Sequence, residues 1–164
     1  MKRVVSIAML AAAMSILGYA QTSMTPGMQN APQRKSPLAE YAGAWAGSFE
    51  GHVWISFRLK LQGDQITGTV QHPTKVQWND DGELKSIGDE QVTEVVEKSQ
   101  LNGDGLLLTT KDSQAQETNR YVIRLTTANT AEVKMVAMSM PPGMAKPKPW
   151  MLNRVGPTAI APVR

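Results

Sequence analysis

VWISFRLKL, residues Val53 to Leu61, then QGDQ, then ITGTVQH, residues Ile66 to His72, is the stretch that decides the fold. Val53, Ile55, Phe57, Leu59 and Leu61 alternate with Trp54, Ser56, Arg58 and Lys60, the repeat of a strand buried on one face. Ile66, Gly68 and Val70 alternate in the same way with Thr67, Thr69 and Gln71. The intervening Gly63-Asp64 pair supplies positive φ and a side chain that bonds back to the local backbone, which suits a tight reversal. The two runs therefore read as one hairpin. Pairing about its centre sets Ile55 opposite His72, with His52 a few residues further along the same end.

The same punctuation recurs outward along the chain, at Gly88-Asp89 and Gly103-Asp104. Strands are expected at Trp45 to Glu50, Lys75 to Asn79, Leu84 to Ile87, Gly105 to Lys111, Thr118 to Thr127, Ala131 to Ser139 and Trp150 to Val155. Glu90 to Gln100 carries Val92, Val95 and Val96 at helical spacing, but its valines and threonine sit within a meander of strands and favour β. The expected fold is all-β, an up-and-down meander of about eight to ten antiparallel strands. Closing such a meander removes its unpaired edges, so the expected form is a closed barrel.

The ends differ in kind from this middle. Lys2 and Arg3 precede the apolar run Val4 to Leu17 and the small-residue site Gly18-Tyr19-Ala20, the pattern of a secretory signal peptide over residues 1–20. The apolar run is shorter than the roughly 20 residues a spanning helix needs. Residues 21–37 are rich in Gln, Pro and Ser and read as a disordered linker, as does the tail over 156–164. The β-barrel domain is expected over 38–155. The chain is expected to be exported, to the periplasm or beyond, with no membrane span once processed. It has no cysteine, so its stability must come from a packed core.

The net charge of +3 hides an uneven distribution. All 14 acidic residues lie between Glu40 and Ser139, against 9 basic ones, and the remaining basic residues sit near the ends. A nucleic-acid binder would carry a basic stripe on its folded part, so nucleic acid is not an expected partner.

Gly43-Ala44-Trp45 opens the first expected strand and Arg154 stands in the last, WMLNRV. This Gly-x-Trp with a basic residue on the closing strand resembles the calycin signature of lipocalins and related ligand-binding barrels. The run GAWAGSFEG and LQGDQITGTV are similar to small exported bacterial lipocalin-like domains. The resemblance implies a barrel in which Gly43, Trp45 and Arg154 are structural, the arginine lying over the tryptophan to close the floor. The characteristic lipocalin helix before the last segment is absent from the pattern.

Catalytic equipment is sparse. There are two histidines, no thiol, no phosphate-cradling loop and no nucleophile elbow, so no enzyme activity and no cofactor are expected. The acids of NDDGE, Asn79 to Glu83, lack calcium-loop spacing and suit a turn. The leading expectation is a non-catalytic binding protein that holds a small apolar molecule against Val53, Ile55, Phe57, Leu59, Val70, Ile123, Leu125, Val133 and Leu152. A second reading takes SMTPGM (Ser23 to Met28) and SMPPGM (Ser139 to Met144) as thioether-bearing turns. His52, His72, Met140 and Met144 would then hold Cu(I) or Ag(I) at one rim, soft ligands for a soft ion. A third makes the barrel an envelope interaction module with Trp54 and Arg58 on its outer face.

Overall fold

In a computed structural model of the chain, residues 36–112, 118–136 and 146–156 are described. A short 3-10 turn, Pro37–Glu40, begins with Ser36, whose hydroxyl accepts from the Leu38 N–H at 3.3 Å. Ten strands follow. They are β1 (Gly43–Phe49), β2 (His52–Gln62), β3 (Gln65–Pro73), β4 (Val76–Trp78), β5 (Leu84–Ile87), β6 (Gln91–Asn102), β7 (Gly105–Asp112), β8 (Thr118–Leu125), β9 (Thr130–Met135) and β10 (Trp150–Val155).

Eight of the ten form a closed antiparallel barrel in the order β1-β10-β9-β8-β7-β6-β3-β2. Closure comes from β1 and β10, with Trp45 opposite Arg154 and Ala46 opposite Asn153. Every barrel strand thus has two neighbours, and no edge is left to pair with another chain. The β2–β3 register runs from Gln62↔Gln65 through Phe57↔Val70 to Ser56↔Gln71, as the alternation about Gly63-Asp64 implies. Gly68 has φ +142, and a Cβ there would collide with the Arg58 carbonyl across the sheet, so only glycine lets these strands approach.

The remaining two strands, β4 and β5, pair only with each other and stand outside the barrel wall, in the connection from β3 to β6. Their Val76, Trp78, Leu84 and Ile87 pack against the core. The hairpin therefore folds over one end of the barrel, called the mouth here. The mouth also contains the Glu50-Gly51 turn and the starts of β2, β6, β8 and β10. The opposite end, the base, contains Trp45 and Arg154.

The inward face is occupied by side chains. Trp45, Phe57, Tyr121, Leu106, Leu108, Ile123, Leu152, Val70 and Val133 are each fully buried, and each such burial is worth about 1.5–3 kcal/mol. Phe57 and Tyr121 meet edge-on across the interior with centroids 5.5 Å apart. An eight-stranded barrel is only wide enough to be filled by side chains or to hold one small molecule, and these rings take up its middle.

Alternation breaks at one place in β2. Ile55 pairs with Gly47 and Val53 with Ser48, leaving Trp54 as the extra residue of a β-bulge. A bulge re-aims side chains and reverses the inside-outside phase beyond it. Val53, expected inside, is accordingly 43% exposed, while Trp54, expected on the outer face, is 4% exposed and belongs to the core. A second bulge at Glu97 interrupts β6, which is a strand throughout.

Candidate functional site

At the base, the Arg154 Cζ lies 4.2 Å from the centroid of the Trp45 ring. Its guanidinium donates to the carbonyls of Ala128 (2.9 Å), Ala42 (2.6 Å) and Glu40 (2.6 Å), and the Trp45 indole N–H donates to the Tyr41 carbonyl at 2.9 Å. Gly43 has φ +136, and any Cβ there would press on the guanidinium. Gly43, Trp45 and Arg154 thus form one fully engaged structural lock, with the planar fork of arginine matched to three carbonyls.

The mouth is built differently. Trp54 at the β2 bulge, Trp78 on the covering hairpin and Trp150 at the start of β10 form one cluster. Trp54 meets Trp150 at 5.0 Å and Trp78 edge-on at 6.2 Å, while Trp78 and Trp150 stack at 5.8 Å. The indole N–H groups of both Trp78 and Trp150 are buried and have no hydrogen-bond partner among the described residues. Each unmet buried donor costs about 1–3 kcal/mol. Indole nitrogen is a donor only, so either position can be satisfied only by an acceptor.

On the opposite wall of the mouth, Glu94 is 1% exposed and accepts from the Thr110 hydroxyl at 2.6 Å, from the Asn119 amide and from the Tyr121 hydroxyl at 3.4 Å. His72 completes this network. Its Nδ1 lies 2.9 Å from the Pro73 carbonyl, and its Nε2 lies 3.2 Å from Glu94 Oε1, an ion-pair distance without hydrogen-bond alignment. Both ring nitrogens therefore face acceptors, an arrangement that suits the doubly protonated imidazolium.

The electrostatics agree. Burial works against charge on His72, but the contact with Glu94, the Pro73 carbonyl and the negative charges of Glu94 and Asp112 outweigh it and raise its pKa above 6.5. Burial likewise opposes charge on Glu94, yet the contacts from His72, Thr110 and Asn119 and the histidine charge bring its pKa below 4.5. Burial, with the neighbouring Glu94 charge, holds the Tyr121 phenol protonated far up the scale.

A recess of about 460 Å³ opens where the β1–β2 turn meets the root of the hairpin. Phe49, Val53 and Ile87 supply its apolar lining, and Glu50, His52 and Asp89 its polar one. That volume lies within the usual range for small-molecule sites. The hairpin tip is held by Asn79, whose Oδ1 accepts from the Asp81 and Glu83 N–H groups, so the NDDGE acids serve a turn. A surface ion pair, Lys148 Nζ to Glu83 at 2.9 Å, and the Lys148 N–H donating to the Gly82 carbonyl fasten the tip to the segment before β10.

The expected ligand-binding residues divide accordingly. Ile55, Phe57, Leu59, Val70, Ile123, Val133 and Leu152 come together as core with 0–3% exposure, Leu125 is partly buried at its edge, and Val53 is displaced to the recess. Of the expected soft-metal ligands, His52 is exposed at the rim and His72 is committed to Glu94, while Met140 and Met144 lie outside the described residues. Among the described residues no three His, Cys, Asp or Glu side chains gather as a metal site. The expected signal peptide also lies outside the described residues, and no described helix is long and apolar enough to cross a membrane.

The chain matches no known protein family, no curated protein and no solved structure.

Neither the tryptophan cluster nor the Glu94 network was legible as a motif. Trp54, Trp78 and Trp150 come from three separate elements. For Glu94 a signal existed, since Val92, Glu94 and Val96 share one phase of the strand alternation. The helical spacing of Val92, Val95 and Val96 obscured it, and Val95 is 52% exposed.

Proposed function

We propose that this is an exported, lipocalin-like binding protein that catalyses nothing and takes a small, largely apolar molecule at the mouth of its barrel. The observation that carries this reading is the mouth itself, where the tryptophan cluster holds two indole donors with no partner among the described residues and a recess of ligand size opens at the root of the β4–β5 hairpin. Aromatic walls with a few fixed polar groups are the usual make-up of such sites. The filled middle of the barrel favours the mouth over the axis as the seat of the ligand.

Three further features support the reading. The Arg154–Trp45 contact agrees with the calycin resemblance. The basic start and short apolar run at residues 1–20 favour export. Buried Glu94 and half-buried His72 are tied to each other and Glu94 to neighbouring side chains, which suits a structural network better than a reacting centre. Displacement of an environment-sensitive apolar dye tests the proposal. Saturable dye binding, reversed by an organic extract of the envelope and lost in Trp54→Ala plus Trp150→Ala, is the expected result. A folded protein that binds no dye and responds to no extract would contradict it.

A further inference from the structure

The outer wall at the base holds another recess, of about 510 Å³, that spans three neighbouring strands. β1 runs between β10 and β2 there, with Ala44 opposite both Val155 and Arg58, and Gly43 opposite Leu59. The central strand thus places its two smallest residues, Gly43 and Ala44, between longer flanking side chains, and a trough results. Ala44 and Val155 give it an apolar floor. Arg58 and Lys60 are exposed and stand two residues apart on one face of β2, about 7 Å from each other along the strand. Arg154 lines the trough from β10. Its three bonds go to carbonyls, which fix the guanidinium in place without cancelling its charge.

Every charged residue in the lining of this trough is basic. The recess at the mouth instead carries Glu50 and Asp89. A third, beside β8 and β9, mixes Asp104 and Glu132 with Arg124 and Lys134, and there Arg124 is already paired with Glu132 at 3.0 Å. Glu40 and Asp64 are the acids nearest in sequence to the trough residues, and neither is part of its lining. Fixed positive charge beside an apolar floor is complementary to an anion that carries an apolar body.

We infer that the base carries a binding site of its own, a trough for an anionic amphiphile, whose phosphate-like or carboxylate head meets Arg58, Lys60 and Arg154 while its apolar body lies along Ala44 and Val155. The trough is at the opposite end of the barrel from the mouth, so this site does not depend on what the mouth binds. Head groups of this kind come from free amphiphiles or from the surface of a membrane, and the two sources are separable.

Calorimetric titration of the full chain at low ionic strength, where exposed charges are least screened, uses octyl phosphate, octyltrimethylammonium and inorganic phosphate. Octyl phosphate should bind at one site. The cation, for its charge, and inorganic phosphate, for its missing chain, should each bind at least about tenfold more weakly. One exposed charge contact changes affinity by up to about fivefold, so Arg58→Gln plus Lys60→Gln should weaken octyl phosphate by about tenfold. The thermal midpoint should hold, since both side chains are exposed. Co-sedimentation with phosphatidylglycerol vesicles, reduced in the same variant, assigns the head group to a membrane lipid, and octyl phosphate binding without co-sedimentation assigns it to a free amphiphile. Undiminished binding in the variant, equal binding of the cation, or no binding of octyl phosphate overturns the site.

Discussion

The Arg154 guanidinium lies 4.2 Å over the Trp45 ring and reaches three carbonyls, those of Glu40, Ala42 and Ala128. One side chain therefore joins the closing strand, the segment before β1 and the β8–β9 turn. Lysine keeps the charge but cannot reproduce the fork. Arg154→Lys should cost about 2 kcal/mol of stability, the scale of a lost charged hydrogen bond, with the barrel still formed. Urea unfolding measures it, and a loss below about 0.5 kcal/mol, the range of ordinary surface changes, would show that the lock is not needed.

The bulge at Trp54 makes adjacent residues respond in opposite ways. Val53→Asp should change stability by no more than about 0.5 kcal/mol, as for an exposed site. Trp54→Ala should cost about 3–5 kcal/mol, the range for emptying a large buried aromatic site. Strict alternation along β2 predicts the reverse order, so one pair of unfolding curves separates the two descriptions.

The His72–Glu94 pair gives stability a defined pH window. The folded pKa of His72 lies above its ordinary 6.5, so its contribution is complete below 6.5 and is lost as pH rises through the folded value. The folded pKa of Glu94 lies below its ordinary 4.5, so its contribution is present above 4.5 and is lost as pH falls through the folded value. Asp112 adds to the field at His72, and Tyr121 remains neutral beside Glu94. Thermal midpoints should therefore plateau between about 4.5 and 6.5 and decline on both sides. His72→Gln should remove the alkaline decline and, because the contact from His72 is the main one that lowers the Glu94 pKa, weaken the acid decline as well.

Glu94→Gln removes the charge that faces His72 and keeps an oxygen acceptor for only one of Thr110 and Asn119, which bond to different carboxylate oxygens. At about pH 6 it should cost about 3 kcal/mol, the scale for stranding one member of a buried pair. The penalty should shrink at alkaline pH, where His72 is neutral in either protein. A penalty independent of pH would mean that the two groups do not share a proton-dependent contact.

Much of the fold was legible because it rests on rules with a short range. Alternation around Gly63-Asp64 predicts the β2–β3 register, and the need to satisfy edges predicts closure of the meander. Two expectations failed where a single extra residue changed the phase. No local pattern marks Trp54 as a bulge, and its effect on Val53 depends on pairing with Gly47 and Ser48 in another strand. The β4–β5 pair was legible as strands but not as a cover, because its place outside the wall follows from contacts of Val76, Trp78, Leu84 and Ile87 with distant parts of the chain. The mouth was legible only in part. Alternation places His72 at that end, but the partnership with Glu94 needs the β3–β6 pairing that a long connection conceals.

Native mass spectrometry of the protein purified from the exported fraction of the cells that make it tests the central claim most directly. The binding account predicts a stoichiometric adduct of small-molecule mass, apolar on extraction, absent from Trp54→Ala plus Trp150→Ala protein prepared in the same way. A bare polypeptide mass that stays bare after incubation with the cells' own lipid extract would contradict it.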